Sequence, residues 1–123
     1  IMGSIAAGGL IETFNDFSQN LDLSETLSKK NIFALNVNGD SMIDACIADG
    51  DMVLIEPVKD LHALRNGTIV SALVPGLGTT LKYFIRKENY IILEAANSNY
   101  EPIKIEASQV VIQGKLVAVW RKI

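Results

Sequence analysis

The feature that most constrains this chain is a train of short β-forming runs, each ended by a turn rich in Gly, Asn or Asp. Ile32-Phe33-Ala34-Leu35-Asn36-Val37 stops at Asn38-Gly39, and Ala48-Asp49-Gly50-Asp51 turns into Met52-Val53-Leu54-Ile55. Arg65-Asn66-Gly67 precedes Thr68–Val74, and Pro75-Gly76-Leu77-Gly78 turns the chain into residues 79–85. Glu88-Asn89 separates these from Tyr90–Glu94, and the chain closes on a long apolar run over 110–120. β-Branched and aromatic runs punctuated at roughly 8–12-residue intervals predict a mostly β domain of short twisted strands, a partial barrel or sandwich with little helix. Only residues 41–47 and 59–64 have the makings of a helical turn. Gly114, inside the last run, predicts a bulge or bend there. If the far half of that run lies at a sheet edge, its unpaired backbone groups can be completed by a second copy, so a homodimer through about residues 115–122 is expected.

A chain of 123 residues suits one domain with a core of its own. Its net charge of -3 and the lack of a dense Lys/Arg stripe give it no electrostatic grip on a phosphate backbone. One cysteine, Cys46, allows no intrachain disulfide, which fits a cytoplasmic setting. Cys46 and the single histidine, His62, cannot furnish a four-ligand structural zinc site, and no apolar run approaches the roughly 20 residues of a membrane helix. The start, Ile1-Met2-Gly3-Ser4, lacks the charged region of a signal peptide, and a chain opening on Ile reads as a piece of a longer one. Residues 1–16 differ from the rest: Ile5-Ala6-Ala7-Gly8-Gly9-Leu10 is small, apolar and without a helix or strand period, and its glycines let another backbone approach closely. Residues 20–30 are polar, with scattered leucines, and are expected to be loop or short helical turns.

Two residue types stand where chemistry could use them. Ser41, in Gly39-Asp40-Ser41-Met42, follows a predicted strand end, where a hydroxyl and backbone N–H groups can be presented together as a nucleophile beside an oxyanion site. On the tetrapeptide alone, a serine capping a turn at 41–47 is the simpler account. His62 is the obvious base for such a serine, but it lies in a connecting segment without supporting residues. Lys82 is the better candidate, because it sits inside the apolar stretch Leu81-Lys82-Tyr83-Phe84. Desolvation lowers a lysine pKa from its usual value of about 10.4, toward a neutral amine able to accept a serine proton. Strand alternation puts Thr80 on the same face as Lys82, where its hydroxyl can hold the amine. From the strand alone, a lysine that snorkels to solvent is the simpler account of Lys82.

The order of these motifs along the chain adds what none supplies alone. Gly3-Ser4-Ile5-Ala6-Ala7-Gly8-Gly9, Val37-Asn38-Gly39-Asp40-Ser41-Met42, Asp49-Gly50-Asp51 and Thr80-Leu81-Lys82 follow the pattern of the LexA-type repressors. Arg65-Asn66-Gly67 and the stretch from Ala95-Ala96-Asn97-Ser98 to Tyr100-Glu101-Pro102-Ile103 also resemble that family, so the likeness runs over essentially the whole chain. The chain thus resembles the C-terminal self-cleavage domain of such a repressor, with the family's signal-peptidase-like β fold. The resemblance implies Ser41 as nucleophile and Lys82 as general base, with Thr80 and Met42 supporting and backbone N–H groups near Ser41 as the oxyanion hole. It implies Ala7-Gly8 as the scissile bond, presented in cis by a loop recognised through Ile5 and Ala6.

On this reading residues 1–16 are the linker end and cleavage loop, and residues 17–123 the autoprotease and dimerisation domain. The resemblance further implies activation by a RecA-type recombinase filament on single-stranded DNA, which supplies no catalytic residue. DNA binding would reside in an N-terminal winged helix-turn-helix domain outside this chain, with the protein in the bacterial cytoplasm, off the membrane, and with no cofactor or metal. Docking of the loop is expected to bury Lys82, which is otherwise solvated and charged. Gly78, four residues before Lys82, departs from the acidic residue some members carry, which is expected to alter the pH dependence and leave the dyad intact. The alternatives are a lambda-type phage repressor, and a dimerisation module in which Ser41 and Lys82 do no chemistry. A UmuD-type subunit is disfavoured by the Ala-Gly bond, and a signal peptidase by the lack of a membrane anchor.

Overall fold

The computed structural model describes residues 31–121, so the calls on residues 1–30, among them Ile5, Ala6 and the Ala7-Gly8 bond, lie outside it. Seven strands form one antiparallel sheet: β1 (Phe33–Asn36), β2 (Met52–Pro57), β3 (Thr68–Val74), β4 (Gly78–Lys87), β5 (Tyr90–Glu94), β6 (Ile103–Glu106) and β7 (Val111–Trp120). Their order across the sheet is β1-β2-β7-β3-β4-β5-β6, and β1 and β6 remain as its edges, so the sheet is open. The mostly β class is as the turn spacing predicts. Both expected helical turns shrink to 3-10 turns, Ile43–Ala45 and Leu61–Ala63, and a third, Ala107–Gln109, follows β6.

β3 and β4 form the hairpin that Pro75-Gly76-Leu77-Gly78 dictates, with Val74 paired to Gly78 and Val70 to Lys82. β4 and β5 form the next, closed at Lys87–Tyr90. β2 and β3 are joined by β7, which pairs with β2 from Gly114 to Trp120 and with β3 from Val111 to Lys115. β7 carries two extra residues in doing so. Gln113 is looped out against β3, between the partners of Ser71 and Ala72. Val117 is looped out against β2, between the partners of Leu54 and Ile55. Such bulges bend a strand and raise its twist, which lets one strand serve two neighbours that run apart. The bulge expected at Gly114 therefore falls on its neighbour Gln113, whose amide accepts from Ser71 Oγ at 2.6 Å. Gly114 has a different duty: a Cβ there would stand 2.5 Å from the Glu56 carbonyl oxygen, so only glycine lets β7 approach β2 so closely.

Alternation along the strands divides the core. Leu35, Val37, Met42, Ile47, Val53, Ile55 and Leu81 pack as one cluster, and Val70, Ala72, Phe84, Ile91, Leu93 and Ile112 as another. β4 contributes Leu81 to the first and Phe84 to the second, so it is covered on both faces around Lys82. β3 leaves β7 after Lys115, so residues 116–119 have a strand partner on the β2 side only among the described residues, with Val117 and Val119 exposed. No helix among the described residues is long and apolar enough to cross a membrane.

Candidate active site

Ser41 comes from the segment that links β1 to β2, and backbone bonds close that segment into a compact loop. Val37 N donates to Asp51 O and Gly50 N to Val37 O, each at 2.8 Å. Gly39 N donates to the Asp49 carboxylate at 2.7 Å and Ala48 N to the Asp51 carboxylate at 2.8 Å, so the Asp49-Gly50-Asp51 turn ties both limbs of the loop. Met42 and Ile47 anchor it in the core. Met42, named from the sequence as a supporting residue, is buried, and its Sδ accepts from Ala96 N at 3.3 Å. Ser41 does not cap the turn that follows: Met42 holds the cap position, without a side-chain cap bond, and the capping account of Ser41 is overturned.

Lys82 lies in the middle of β4, where it pairs with Val70. Its side chain does not snorkel out: the residue is only 6% exposed, and Ser41 and Thr80 are 3% and 0% exposed. Lys82 Nζ donates to Thr80 Oγ1 at 2.6 Å, to Ser41 Oγ at 3.1 Å and to the Leu81 carbonyl at 3.2 Å. Three acceptors match the three protons of an ammonium group. Burial pushes the amine down to about 8, because no carboxylate offsets the loss of solvation. Once a proton leaves, the amine has a lone pair among two hydroxyls and a carbonyl, and one hydroxyl can reverse its bond and donate to it.

The two hydroxyls differ in what surrounds them. Thr80 sits inside the β3–β4 ladder, opposite Ala72, where backbone groups are used in strand pairing. The Ser41 and Met42 N–H groups, by contrast, have no hydrogen-bond partner among the described residues. A hydroxyl next to uncommitted N–H groups is the arrangement an acyl-transfer nucleophile requires. Ser41, Thr80 and Lys82 open on a groove of about 260 Å3, walled by Asn38, Gly39, Asp40, Leu77, Tyr100, Glu101 and Ile103. Its lining surface is mostly apolar, with the polar atoms of Ser41, Thr80 and Lys82 set into it.

His62 is exposed, its Nδ1 3.4 Å from Arg86 Nη1, and takes no part in this cluster. Sequence reasoning did not foresee the brace over the Ser41 loop. Asp44 N donates to Ala96 O at 2.8 Å, Asn97 Nδ2 to Asp40 O at 2.9 Å, and Tyr100 Oη to the Asp40 carboxylate at 2.5 Å. That hydrogen bond to Asp40 holds the Tyr100 hydroxyl above its ordinary pKa. Nor did it foresee Arg121, which binds both oxygens of buried Asp51, from Nε at 2.7 Å and Nη2 at 2.6 Å. Each joins residues more than fifty positions apart, and neither makes a local pattern.

Comparison with known proteins shows the family of the chain. Residues 1–117 match the family model described as Peptidase S24-like. The chain is 45% identical over 123 residues to a LexA repressor of Ruegeria sp. (strain TM1040), covering 98% of this chain and 50% of that protein. It is 42% identical over 123 residues to a LexA repressor of Paramagnetospirillum magneticum, covering 99% of this chain and 51% of that protein. A LexA repressor of Koribacter versatilis is 38% identical over 121 residues, covering 98% of this chain and 56% of that protein. The chain thus spans about half the length of the curated relatives it matches. With a match over nearly its whole length, the chain belongs to the Peptidase S24-like family.

Proposed function

We propose that this chain is the C-terminal domain of a LexA-type transcriptional repressor, and that it cuts its own Ala7-Gly8 bond with Ser41 and Lys82. The observation that carries the reading is the buried 3.1 Å contact between Lys82 Nζ and Ser41 Oγ. In the proposed reaction neutral Lys82 takes the Ser41 proton while Oγ attacks the Ala7 carbonyl carbon. Backbone N–H groups beside Ser41 hold the resulting oxyanion. The intermediate collapses to an Ala7 acyl ester on Ser41, and the Gly8 amine leaves with the proton that Lys82 returns. Water, deprotonated by Lys82, then hydrolyses the ester. Thr80 holds the amine in line throughout. Met42 anchors the loop, and Ile5 and Ala6 fit the apolar groove ahead of the cut.

Residues 1–16 act in this reading as linker end and cleavage loop, and residues 17–123 as the autoprotease and dimerisation domain. The full repressor governs DNA-damage-response genes from the cytoplasm through an N-terminal DNA-binding domain. A RecA-type filament activates it by favouring the docked loop. The dimer forms through about residues 115–122, where the open edge beside Val117 and Val119 supports it.

With an amine near 8, about a tenth of the molecules hold neutral Lys82 at pH 7, and nearly all do at pH 10. Self-cleavage, followed by intact mass, is therefore expected to run about tenfold faster at pH 10 than at pH 7. The expected product is loss of residues 1–7, and Ser41→Ala abolishes it. Intact chain after hours at both pH values, or cleavage that survives Ser41→Ala, sinks the proposal.

A further inference from the structure

We infer that Asn97 is a positioning residue for the oxyanion site, acting through the Asp40–Ser41 peptide; the inference rests on the reaction proposed above. Asn97 Nδ2 donates to the Asp40 carbonyl at 2.9 Å, and Ile43 N donates to the same oxygen at 3.2 Å. Two donors from different directions fix the orientation of that carbonyl. The peptide that carries it is planar and trans, so its N–H, which belongs to Ser41, must point the opposite way. Asp40 and Ser41 line the groove and Asn97 does not. The carbonyl thus faces the brace, and the Ser41 N–H is turned toward the groove, where an oxyanion would form.

The amide of Asn97 is itself held in the sense this requires. Its Oδ1 accepts from Asn99 N at 2.9 Å, which leaves the Nδ2 end for Asp40. The turn is closed by Tyr100 N donating to Asn97 O at 3.1 Å. Ala96 anchors it to the same loop, accepting from Asp44 N and donating to Met42 Sδ. Asn97 is thus a donor of fixed direction on a braced turn. Tyr100 binds the Asp40 side chain instead, which leaves the peptide plane to Asn97 and Ile43. Without Asn97 the peptide keeps a single weak bond and is free to rock.

The test compares the whole chain with Asn97→Ala and, as a control, His62→Ala across pH 6 to 10.5. It reads two rates at Ser41: self-cleavage, and phosphonylation by a small alkyl fluorophosphonate, which needs no docked loop. Removing one oxyanion donor outright slows such chemistry by about 10²–10³-fold. A donor left in place but misaimed is expected to slow both rates by about tenfold or more. The pH midpoint set by Lys82 should stay where it is, and His62→Ala, at an exposed residue outside the groove, should stay within about twofold of wild type. Rates are taken on protein that keeps the wild-type melting transition; should Asn97→Ala lose it, Asn97→Asp keeps the acceptor for Asn99 N and replaces it. Unchanged rates overturn the inference. So does slowed self-cleavage with normal phosphonylation, which would place Asn97 in loop docking, or a shifted midpoint with a normal plateau, which would place it at Lys82. A wild-type chain inert to both readouts brings down the proposed reaction itself, whatever the variants do.

Discussion

At the scale of single residues, the buried lysine sets chemistry against stability. Its folded pKa, about 8, lies below the unfolded value of 10.5, so between these values the unfolded chain holds the proton and the folded chain does not. Stability therefore rises with pH across that window, and below it the fold bears the full cost of a buried ammonium. That cost is about 3.5 kcal/mol at most, from a pKa lowered from 10.5 to about 8 at about 1.4 kcal/mol for each tenfold. Lys82→Met is expected to be more stable than the native chain at pH 7, with the gain fading by pH 10.5 in urea unfolding. A variant that is less stable at pH 7 would mean that the hydrogen bonds to Ser41, Thr80 and Leu81 outweigh desolvation. The pairing of Lys82 with Thr80 was legible in the sequence, since residues two apart share a face. The approach of Ser41 was not, because nothing local brings residue 41 to residue 82; only the resemblance joined them. Asn97 and Asp40 were invisible for the same reason. Gly78 has a φ of +92°, a backbone conformation that suits glycine, so the departure from an acidic residue there follows from the turn that starts β4.

At the scale of elements, turn chemistry carried the reading a long way. Asn38-Gly39, Gly50, Asn66-Gly67 and Pro75-Gly76-Leu77-Gly78 each end or begin a strand where the sequence says so, because backbone demands at a turn are local. β6 was missed: Ile103-Lys104-Ile105-Glu106 is four residues long, lies on an edge and alternates half-exposed with exposed, so it lacks the apolar weight of a strand. The Ser41 turn was overread as a helix because a 3-10 turn of three residues and a capped helix start look alike in sequence. β7 was found, but not its place, since pairing partners are chosen by the whole sheet. Gly114→Ala tests that place. Neither the Glu56 carbonyl nor the β2 backbone behind it can move aside, so overpacking should cost about 1–3 kcal/mol, read as a lower urea midpoint. A midpoint equal to the native one would show that β7 can shift away from β2.

At the scale of the molecule, one ion pair ties the end of β7 to the loop that carries Ser41. Arg121 holds the Asp51 carboxyl below its usual range, through its hydrogen bonds first and against the opposing effect of burial. The stability this lends is whole above the unfolded carboxylate value near 3.8 and is lost as pH falls through the lower folded value. Arg121→Ala is therefore expected to lower the melting temperature at pH 7 by several degrees. The gap to the native chain should narrow below about pH 4, where the native pair is lost too. An unchanged melting temperature would mean that Ala48 N alone satisfies Asp51.

The strand order has a consequence for how such a chain is made. Among the described residues β7 is the last of the seven strands, yet it lies between β2 and β3 and is the only strand that joins the Ser41 half of the sheet to the Lys82 half. A ribosome delivers the chain from its N-terminus, so the bond proposed for cutting and Ser41 emerge early, and Lys82 next. Until the ten residues of β7 are released, however, no strand pairing among the described residues joins the two halves, which are left with the side-chain and loop contacts around Ser41 and Leu81. A nascent chain of this connectivity is therefore expected to complete the Ser41–Lys82 arrangement only after β7 has joined the sheet, which delays the proposed chemistry by topology alone.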